Sequence, residues 1–485
     1  MGGKNAIIVT SNAELDEAVS GILYSAFGHS GQKCSAASRI LVDIKIKDKL
    51  IERLKSACLD LNVGAAFDFS STMNPIITAE ERDRLRRDGV SAIQEAKDHG
   101  GEVHVNRSLE NLPGTCIGPV LIELPLTRAL DPSSFAYKEL FGPILHVIGY
   151  KSLDDAIKIY NGTEYALTGG VFSQSQDDID YLMKSLESGN IYINRGITGA
   201  RVGIEPFGGF KLSGTGPKAG GKSYVSSFHI IPLNLPTELE NIKVVPPNEE
   251  GESYIFDLCL PSNLKDKELR TTFDEGMQKL IQNFENLFDG IYGNQKDVLL
   301  KFKDYAFNNL HEFKNKKIPN REIPGQLSYN SLRLMETKIV VAAFEERAYF
   351  STLLEVLVAL SMGIGVSILA RNQKSYAWWN KIRSIFYKHA KERSFDVFFP
   401  NQNLFEKSLI FDDLRTIIID GGEEEIGEVL KIIYNNSFTE KNMRQILTPL
   451  DSPSVLDFDA LIEKYIFVRS FAVNIMRHGA PMSVR

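Results

Sequence analysis

The stretch GGVFSQSQDDIDYLMKSLESGNIYIN, residues 169–194, predicts the fold class of this chain. GGVFS (169–173) and NIYIN (190–194) are short runs rich in β-forming residues. The amphipathic residues between them predict a helix near 176–186. A strand, a helix and a second strand in this order are typical of parallel strands that are connected by a covering helix. The sequence therefore predicts an α/β protein with a largely parallel sheet.

The same alternation continues on both sides of this stretch. In the first half it predicts AIIV (6–9), a helix over 13–27, RILVD (39–43), a helix over 47–58, ILHVIGY (144–150) and a helix near 152–160. In the second half it predicts KIVVAAF (338–344), a helix near 347–362, VSILAR (366–371), a helix over 374–390, RTIIID (415–420) and a helix near 423–434. Residues 236–253 are polar, contain three prolines and predict a linker. We therefore expect one domain over 1–235 and another over 254–485.

Composition excludes several classes of protein. The chain has 485 residues and a net charge of −7. Its sequence contains no stripe of basic residues, so we expect no nucleic-acid partner. Its four cysteines are too few for a disulfide framework and indicate a reducing compartment. No signal peptide is recognised at the start of the sequence, so we expect a cytoplasmic protein. The apolar run at 353–370 contains Glu355 and two glycines, so it predicts a buried helix and strand rather than a membrane span. The eight histidines show no metal-ligand spacing, and no metal is expected.

One cysteine stands in a setting that suits a nucleophile, in FGHSGQKCSAASR (27–39). A nucleophilic thiol must reach a carbonyl carbon, ionise readily, and have N–H donors near the oxyanion that it forms. Gly28 and Gly31 allow close approach of the backbone to a ligand, and Lys33 would favour the thiolate. We therefore expect Cys34 to be exposed, with a low pKa. The competing interpretation from these residues alone is a small buried thiol used in packing.

Three further motifs accompany GQKC: MGGKN (1–5), KELFGP (138–143) and NIYINRGITGARVGIEPFGGFKLSGTG (190–216). In this order and spacing, the four motifs resemble the aldehyde dehydrogenase superfamily over residues 1 to about 235. NRGITGARVGIEPFGG is most similar to the L-glutamate γ-semialdehyde dehydrogenases, which often form the C-terminal half of bifunctional proline utilisation A proteins. The resemblance implies NAD-dependent oxidation of that aldehyde to L-glutamate, the second step of proline catabolism, through a cysteine thiohemiacetal. It also implies a homo-oligomer.

The resemblance assigns roles to seven residues. Taken without it, Gly199 is compatible with an ordinary turn, Phe207 with a core side chain, and Glu139 with a polar residue before a strand. Consecutive N–H groups in a turn can bind an anion, and a carboxylate can accept two hydroxyl groups of a ribose. The assigned roles are Cys34 as nucleophile, Ser35, Gly199, Ala200 and Phe207 for the substrate, and Glu139 and Phe141 for NAD.

The same resemblance implies that parts of the site lie outside this chain. In the family, the glutamate that acts as general base precedes the residue before GGK, and Met1 occupies that intervening position. The oxyanion-hole asparagine and most of the cofactor domain lie further upstream. We therefore expect a fragment that needs an upstream cofactor-domain or proline dehydrogenase portion and has little activity alone. The alternative is a noncatalytic scaffold that retains the aldehyde dehydrogenase fold.

The second half of the chain weakly resembles the start of an aldehyde dehydrogenase cofactor domain, over residues 325–372. No nucleophile motif follows, and Cys259 lies in an apolar setting, FDLCLPS. Long proline utilisation A proteins carry such a degenerate Rossmann-type domain with a short tail. We therefore expect a noncatalytic structural domain, with a second nucleotide site as the rival. GPKAGGKS (216–223) matches a phosphate-loop pattern, but no hydrophobic strand precedes it and no helix follows, so we reject that role.

Overall fold

The computed structural model describes residues 2–201, 203–214, 217–221, 224–225, 266–288, 293–313, 317–319, 326–334, 338–386, 394–410, 414, 416–436, 445–448, 458, 465–474, 476–477 and 480–481. The chain divides into two compact units, and neither is contiguous in sequence. Unit 1 comprises Met1–Tyr224, Lys317–Ser331 and Val468–Arg485, and unit 2 comprises Val225–Lys316 and Leu332–Phe467. The predicted linker, 236–253, lies outside the described residues. The division into one domain over 1–235 and another over 254–485 remains a prediction. The two compact units differ from it, because each unit combines segments from distant parts of the chain.

Unit 1 is built on a ten-stranded sheet of described residues, in the order β10-β11-β17-β8-β7-β1-β2-β5-β4-β3. Its strands are β1 (Asn5–Val9), β2 (Ala37–Asp43), β3 (Glu102–Asn106), β4 (Val120–Leu124), β5 (Ile144–Tyr150), β7 (Thr168–Phe172), β8 (Asn190–Ile193), β10 (Lys317–Pro319), β11 (Gln326–Leu334) and β17 (Ile466–Asn474). Seven strands form the parallel centre of the sheet, and each pairs in parallel with the next in the order β4, β5, β2, β1, β7, β8 and β17. A small hairpin joins β6 (Tyr165–Ala166) to β9 (Phe210–Lys211).

Helices cover both faces of this sheet. They are α1 (Leu15–Phe27), α2 (Lys47–Asp60), α3 (Ala79–Asp98), α4 (Leu126–Ala129), α5 (Leu153–Asn161) and α6 (Gln176–Ser185). Side chains alternate along β1, so that Ile8 packs in one core cluster and Ile7 in the other. Ser152 begins α5 with a capping box in which its side chain accepts from the Asp155 N–H. Since both faces of β1 are buried, its sequence is uniformly apolar after Asn5.

The edge of the sheet beyond β8 is formed by segments from much later in the chain. Strand β17 pairs in parallel with β8, with Ser470 opposite Asn190. The buried ammonium of Lys218 donates to the Gly189 carbonyl at 2.7 Å and to the Ser470 hydroxyl at 2.8 Å. Arg469 donates to the Met183 carbonyl at 2.7 Å. Backbone pairing and charged side chains together therefore attach β17 to unit 1.

Unit 2 contains a five-stranded parallel sheet in the order β14-β13-β12-β15-β16 among its described residues. The strands are β12 (Lys338–Ala343), β13 (Gly365–Ala370), β14 (Phe395–Phe398), β15 (Thr416–Asp420) and β16 (Gln445–Leu447). The helices are α7 (Asp266–Gln282), α8 (Phe284–Phe288), α9 (Gly293–Phe313), α10 (Phe350–Ser361), α11 (Gln373–Ile385), α12 (Gln402–Leu409) and α13 (Glu423–Asn436). A short pair in unit 1, β18 (Met476–Arg477) and β19 (Ala480–Pro481), completes the described strands.

The predicted fold class is confirmed, since both units are α/β with central parallel sheets. The run at 353–370 forms the end of α10 and then β13, and its helical part from 353 to 360 is buried throughout. No described helix is long and apolar enough to cross a membrane. In the rejected phosphate-loop stretch, Ala219 pairs antiparallel with Phe207. That pairing differs from the strand–loop–helix connection that a phosphate loop requires.

Candidate active site

The loop that carries Cys34 lies between α1 and β2, and its backbone is held by a side chain of β1. Asn5 Nδ2 donates to the Cys34 carbonyl at 2.8 Å and to the Ala36 carbonyl at 2.9 Å. Its Oδ1 accepts from the Thr168 N–H at 3.1 Å, so the Asn5 side chain also connects the cysteine loop to β7. A Cβ on Gly3 would lie only 2.6 Å from the Cys34 carbonyl oxygen. Glycine at position 3 therefore lets the cysteine loop lie directly on the start of β1.

A left-handed turn before Cys34 brings the loop to the KELFGP motif. His29, Ser30 and Gly31 have φ values of 53°, 55° and 71°, a conformation that costs L-residues about 1–2 kcal/mol each. The Ser30 hydroxyl donates to the Asn74 carbonyl and helps to hold this turn. A Cβ on Gly31 would approach the Gly142 carbonyl oxygen to 2.6 Å. The cysteine motif and the KELFGP motif therefore meet through a contact that excludes any larger residue.

Glu139 lies against Gly2 and Gly3, at the start of the chain. Its Oε1 accepts from the Gly3 N–H at 2.9 Å, and a Cβ on Gly2 would lie 2.5 Å from its Oε2. Among the described residues, Oε2 has no hydrogen-bond partner, which leaves a carboxylate oxygen free to accept from a ligand hydroxyl. Phe141 is 40% exposed with φ of 58°. An available carboxylate oxygen beside an exposed aromatic ring fits a ribose diol and the ring that it carries.

The pKa of Cys34 is raised above its ordinary value, and the expectation of a low pKa is wrong. Cys34 is half-buried, and loss of solvation is the largest cause. The backbone N–H groups of Cys34 and Ser35 lower the pKa, while the Glu139 carboxylate raises it. Two N–H groups directed at the sulfur are nevertheless what an oxyanion formed beside it would require. Cys58 and Cys116 are fully buried, so Cys34 is the most accessible of the described cysteines.

The predicted substrate loop is tied at both ends to buried groups. At its start, the Ile197 N–H donates to the Ser25 hydroxyl of α1 at 2.9 Å. At its end, the Arg201 N–H donates to Oε2 of the buried Glu205 at 2.7 Å. Between them, Gly199 is exposed with φ of 83°, which suits glycine. Among the described residues, no hydrogen bond joins this loop directly to Cys34, and α1 provides the connection.

The remaining predicted residues lie around these two loops. Ser35 is buried, and its carbonyl accepts from the Thr168 hydroxyl at 3.1 Å. Ala200 is partly exposed beside Gly199. Phe207 is partly exposed, and its backbone exchanges hydrogen bonds of 3.0 and 2.9 Å with Ala219. The structure thus brings Cys34, Ser35, Glu139 and Phe141 into one contiguous group, with the substrate loop attached through α1.

Three residues that organise this site were not predicted from the sequence: Asn5, Glu205 and Gln326. Both Asn5 and Glu205 stand inside the quoted motifs. For Asn5, a polar side chain at the start of an apolar strand was the available signal, whereas Glu205 lies in a loop without such a signal. Gln326 lies in β11, and its contact with Glu205 spans 121 residues of sequence. No local pattern could have indicated that contact.

One group of potential metal ligands lies elsewhere in unit 1, on the edge strand β3 and its neighbour β4. Among the described residues, Glu102, His104 and Glu123 are the three that could hold an ion. His104 Nε2 lies 3.0 Å from Glu123 Oε2, and the ammonium of Lys47 contacts the other oxygen of Glu123. An ammonium already neutralises this carboxylate, so the group is an ion-paired surface cluster.

Residues 1–231 match the model described as the aldehyde dehydrogenase family. This part of the chain therefore belongs to the aldehyde dehydrogenase family. Its strands β1, β2, β5, β7 and β8 and the loops of the candidate site all fall within the matched residues. The family assignment agrees with the resemblance carried by the four motifs.

Curated relatives of this part of the chain include proteins named 1-pyrroline-5-carboxylate dehydrogenase. That of Oceanobacillus iheyensis is 37% identical over 229 residues, which is 47% of this chain and 42% of the relative. That of Bacillus subtilis is 35% identical over 225 residues, with coverage of 46% and 42%. The chain thus spans about two fifths of the length of the curated relatives that it matches.

Two solved structures are similar to this chain. Proline utilization A from Corynebacterium freiburgense matches 99% of this chain and 39% of its own length, with 23% identity and a TM-score of 0.58. This match shows that the fold of the whole chain, including unit 2, occurs in that protein. A 1-pyrroline-5-carboxylate dehydrogenase from Thermus with bound NAD is 37% identical, with coverage of 47% and 42% and a TM-score of 0.43.

Proposed function

We propose that unit 1 carries the nucleophile half of an NAD-dependent L-glutamate γ-semialdehyde dehydrogenase site, with Cys34 as the nucleophile. The observation that carries this proposal is the convergence of Cys34 and Glu139 on Gly2 and Gly3. The Cys34 carbonyl lies against Gly3, and the Glu139 carboxylate lies against Gly2 and Gly3. This arrangement suits a reaction between a thiol adduct of Cys34 and a nicotinamide whose ribose is bound by Glu139. The names of the curated relatives support the substrate class.

In this proposal Cys34 adds to the aldehyde carbon, and the N–H groups of Cys34 and Ser35 stabilise the oxyanion. NAD, when bound, supplies the acceptor for the hydride of the adduct. Glu139 and Phe141 would hold its ribose and nicotinamide ends. Water then releases the acid and restores the thiol. Gly199 and Ala200 would bind the amino-acid end through backbone N–H groups, with Ser35 and Phe207 beside them.

The raised pKa of Cys34 implies that catalysis needs help from groups beyond those described here. Because burial raises the pKa of Cys34, its reactive thiolate form is disfavoured at neutral pH. A general base would remove this limit and contribute about 10²–10⁴-fold. We therefore propose that full activity requires an upstream portion that supplies a base and a cofactor domain. Cytoplasmic location and homo-oligomeric assembly remain part of the proposal.

Protection of Cys34 from alkylation tests the substrate assignment without relying on turnover. The purified chain would be labelled with iodoacetamide at pH 9, and the Cys34 peptide would be quantified by mass spectrometry. We expect L-glutamate and its γ-semialdehyde to slow labelling at millimolar concentrations, and butyraldehyde, which lacks the amino-acid end, to do so less. Equal labelling with and without either ligand would remove the substrate assignment.

A second measurement tests the requirement for an upstream portion. The chain alone would be incubated with NAD and L-glutamate γ-semialdehyde, and NADH would be followed by absorbance. We expect no sustained formation of NADH. Turnover at an ordinary enzymatic rate would show that this chain is complete for catalysis, and C34S would then have to abolish it. The alternative of a noncatalytic scaffold predicts no ligand protection at all.

We infer a noncatalytic role for unit 2, rather than a second nucleotide site. In a doubly wound sheet, ligands bind where the strand order reverses, at the carboxyl ends of the strands. Here that point lies between β12 and β15, and it carries Glu345, Asp420 and Glu425. Carboxylates at this position oppose a pyrophosphate group. Titrating the full chain with NAD while following the fluorescence of Trp378 and Trp379 tests this, because a saturable change would support the nucleotide site.

A further inference from the structure

One side chain of β11 lies in the ionic network that supports the substrate loop. The Gln326 carbonyl oxygen accepts from Nη1 of Arg195 and from Nη2 of Arg201. Its amide nitrogen donates to Glu205 Oε1 at 2.5 Å and to the Ser328 hydroxyl at 2.5 Å. All four hydrogen bonds lie within unit 1. Gln326 thus contacts both cations and the carboxylate of the network at once.

The chemistry of the primary amide suits this position. An uncharged amide offers an acceptor to the guanidinium groups and donors to the carboxylate. The guanidinium groups of Arg195 and Arg201 themselves lie 3.7 and 3.5 Å from Glu205 Oε1. These distances are longer than those of direct charge-assisted hydrogen bonds, so the amide of Gln326 bridges the charged groups. Glu205 is only 2% exposed, so water is a poor substitute for the lost donor. The orientation of the Glu205 carboxylate therefore depends on Gln326.

That carboxylate in turn fixes the backbone immediately after Gly199 and Ala200. Its second oxygen accepts the Arg201 N–H at 2.7 Å. The Arg201 carbonyl accepts from the N–H groups of Ile204 and Glu205 at 3.1 and 3.0 Å, which closes the turn. A shift of the Glu205 carboxylate would therefore release the Arg201 amide and allow the preceding turn to change direction.

We propose that Gln326 is a positioning residue that holds residues 197–201 in the conformation suited to an amino-acid carboxylate. Strand β11 thereby contributes to substrate recognition from 121 residues further along the chain. The part that concerns substrate rests on the proposed function. The part that concerns the loop stands on the hydrogen bonds within unit 1 alone.

Amide hydrogen exchange of the full chain without ligand tests the loop. Q326A removes all four hydrogen bonds, and Q326E preserves the volume but places a carboxylate against Glu205. We expect exchange of the Arg201 amide to rise about tenfold in both variants, as the loss of one supporting hydrogen bond implies. L327A alters the neighbouring exposed side chain of β11 and should leave this exchange within twofold. Arg201 exchange within twofold of wild type in both Gln326 variants would overturn the proposal.

Protection of Cys34 by L-glutamate provides the second measurement. We expect the concentration for half-protection to rise about tenfold in Q326A and Q326E and to remain unchanged in L327A. Faster Arg201 exchange without any protection in wild type would contradict the proposed substrate while supporting the role of Gln326 in the loop. Unchanged protection together with unchanged exchange would overturn that role and leave the proposed function intact. If Q326A lost its cooperative thermal transition, Q326E would give the same comparison at constant volume.

Discussion

Replacing Asn5 should destabilise unit 1 more than any neighbouring polar substitution, because one amide supports three backbone groups. Asn5 is 4% exposed. Its side chain donates to the carbonyls of Cys34 and Ala36 and accepts from the N–H of Thr168. Alanine would leave these three groups without their partner on β1. Aspartate would keep an acceptor but direct a carboxylate oxygen at two carbonyls.

The magnitude follows from the number of groups left unsatisfied. Each buried polar group without a partner costs about 1–3 kcal/mol. The Cys34 carbonyl is only partly buried and can recover some hydration, so we expect a total loss of about 3–5 kcal/mol for N5A and at least as much for N5D. With a urea dependence of about 2 kcal/mol per molar, the unfolding midpoint of unit 1 should fall by about 1.5–2.5 M.

The two units can be followed separately in the intact chain. Both tryptophans, Trp378 and Trp379, lie in α11 of unit 2, so their fluorescence reports unit 2. Cys58 and Cys116 are fully buried in unit 1, and pulsed alkylation followed by mass spectrometry reports their exposure. N5A should lower the midpoint for the thiols much more than that for the tryptophans.

The matched control is N12A. The Asn12 side chain is exposed and donates to Asp178 at 2.9 Å, so its loss should cost less than about 0.5 kcal/mol. A thiol midpoint for N5A within about 0.3 M of that for N12A would refute the role assigned to Asn5. A fall of both reporters by the same amount would show that the substitution does not act on unit 1 alone.

Three further predictions concern charge and backbone conformation. Because burial raises the pKa of Cys34, its alkylation rate should still be rising above pH 9, and C34S should remove the labelling of this peptide; a plateau below pH 8 would contradict the raised pKa. Burial raises the pKa of Asp420 from 3.8 to about 7, so the folded state binds the proton more tightly, and the stability of unit 2 should fall by up to about 4 kcal/mol as pH rises from about 4 to 7. D420N should flatten this dependence in tryptophan-monitored unfolding, and an equal slope in both proteins would refute the assignment. G31A should cost unit 1 about 2–4 kcal/mol, because its φ is 71° and its Cβ would meet the Gly142 oxygen. G28A is its control, since a Cβ there meets nothing within 4 Å, and equal thiol midpoints for the two variants would contradict the steric argument.

Local periodicity was sufficient to predict much of the two sheets. The predicted strands at 6–9, 39–43, 144–150 and 338–344 correspond to β1, β2, β5 and β12, because each is a continuous apolar run buried on both faces. Helix α3 was not predicted, since its 20 residues are highly charged and include Gly89. The pairing of β17 with β8 was not predictable either, because no local pattern specifies that Asn190 pairs with Ser470, a residue 280 positions later in the chain.

The site was predictable where it depends on motifs and not where it depends on burial. GQKC and KELFGP indicated that Cys34 and Glu139 belong to one site, and the structure places both against Gly2 and Gly3. The pKa of Cys34 was predicted in the wrong direction, because a neighbouring lysine in sequence does not reveal how much solvent reaches the sulfur. The roles of these residues in catalysis stay predictions that the protection experiment addresses.

The late position of β17 has a consequence for how the protein is synthesised. Strand β8 emerges from the ribosome with an apolar, parallel-pairing edge, and its partner ends only at Asn474. Until that point, the nascent chain presents an open sheet edge of the kind that recruits other strands. Production of this protein should therefore depend on protection of that edge during translation, and a chain released near residue 235 should aggregate where the full chain remains in solution.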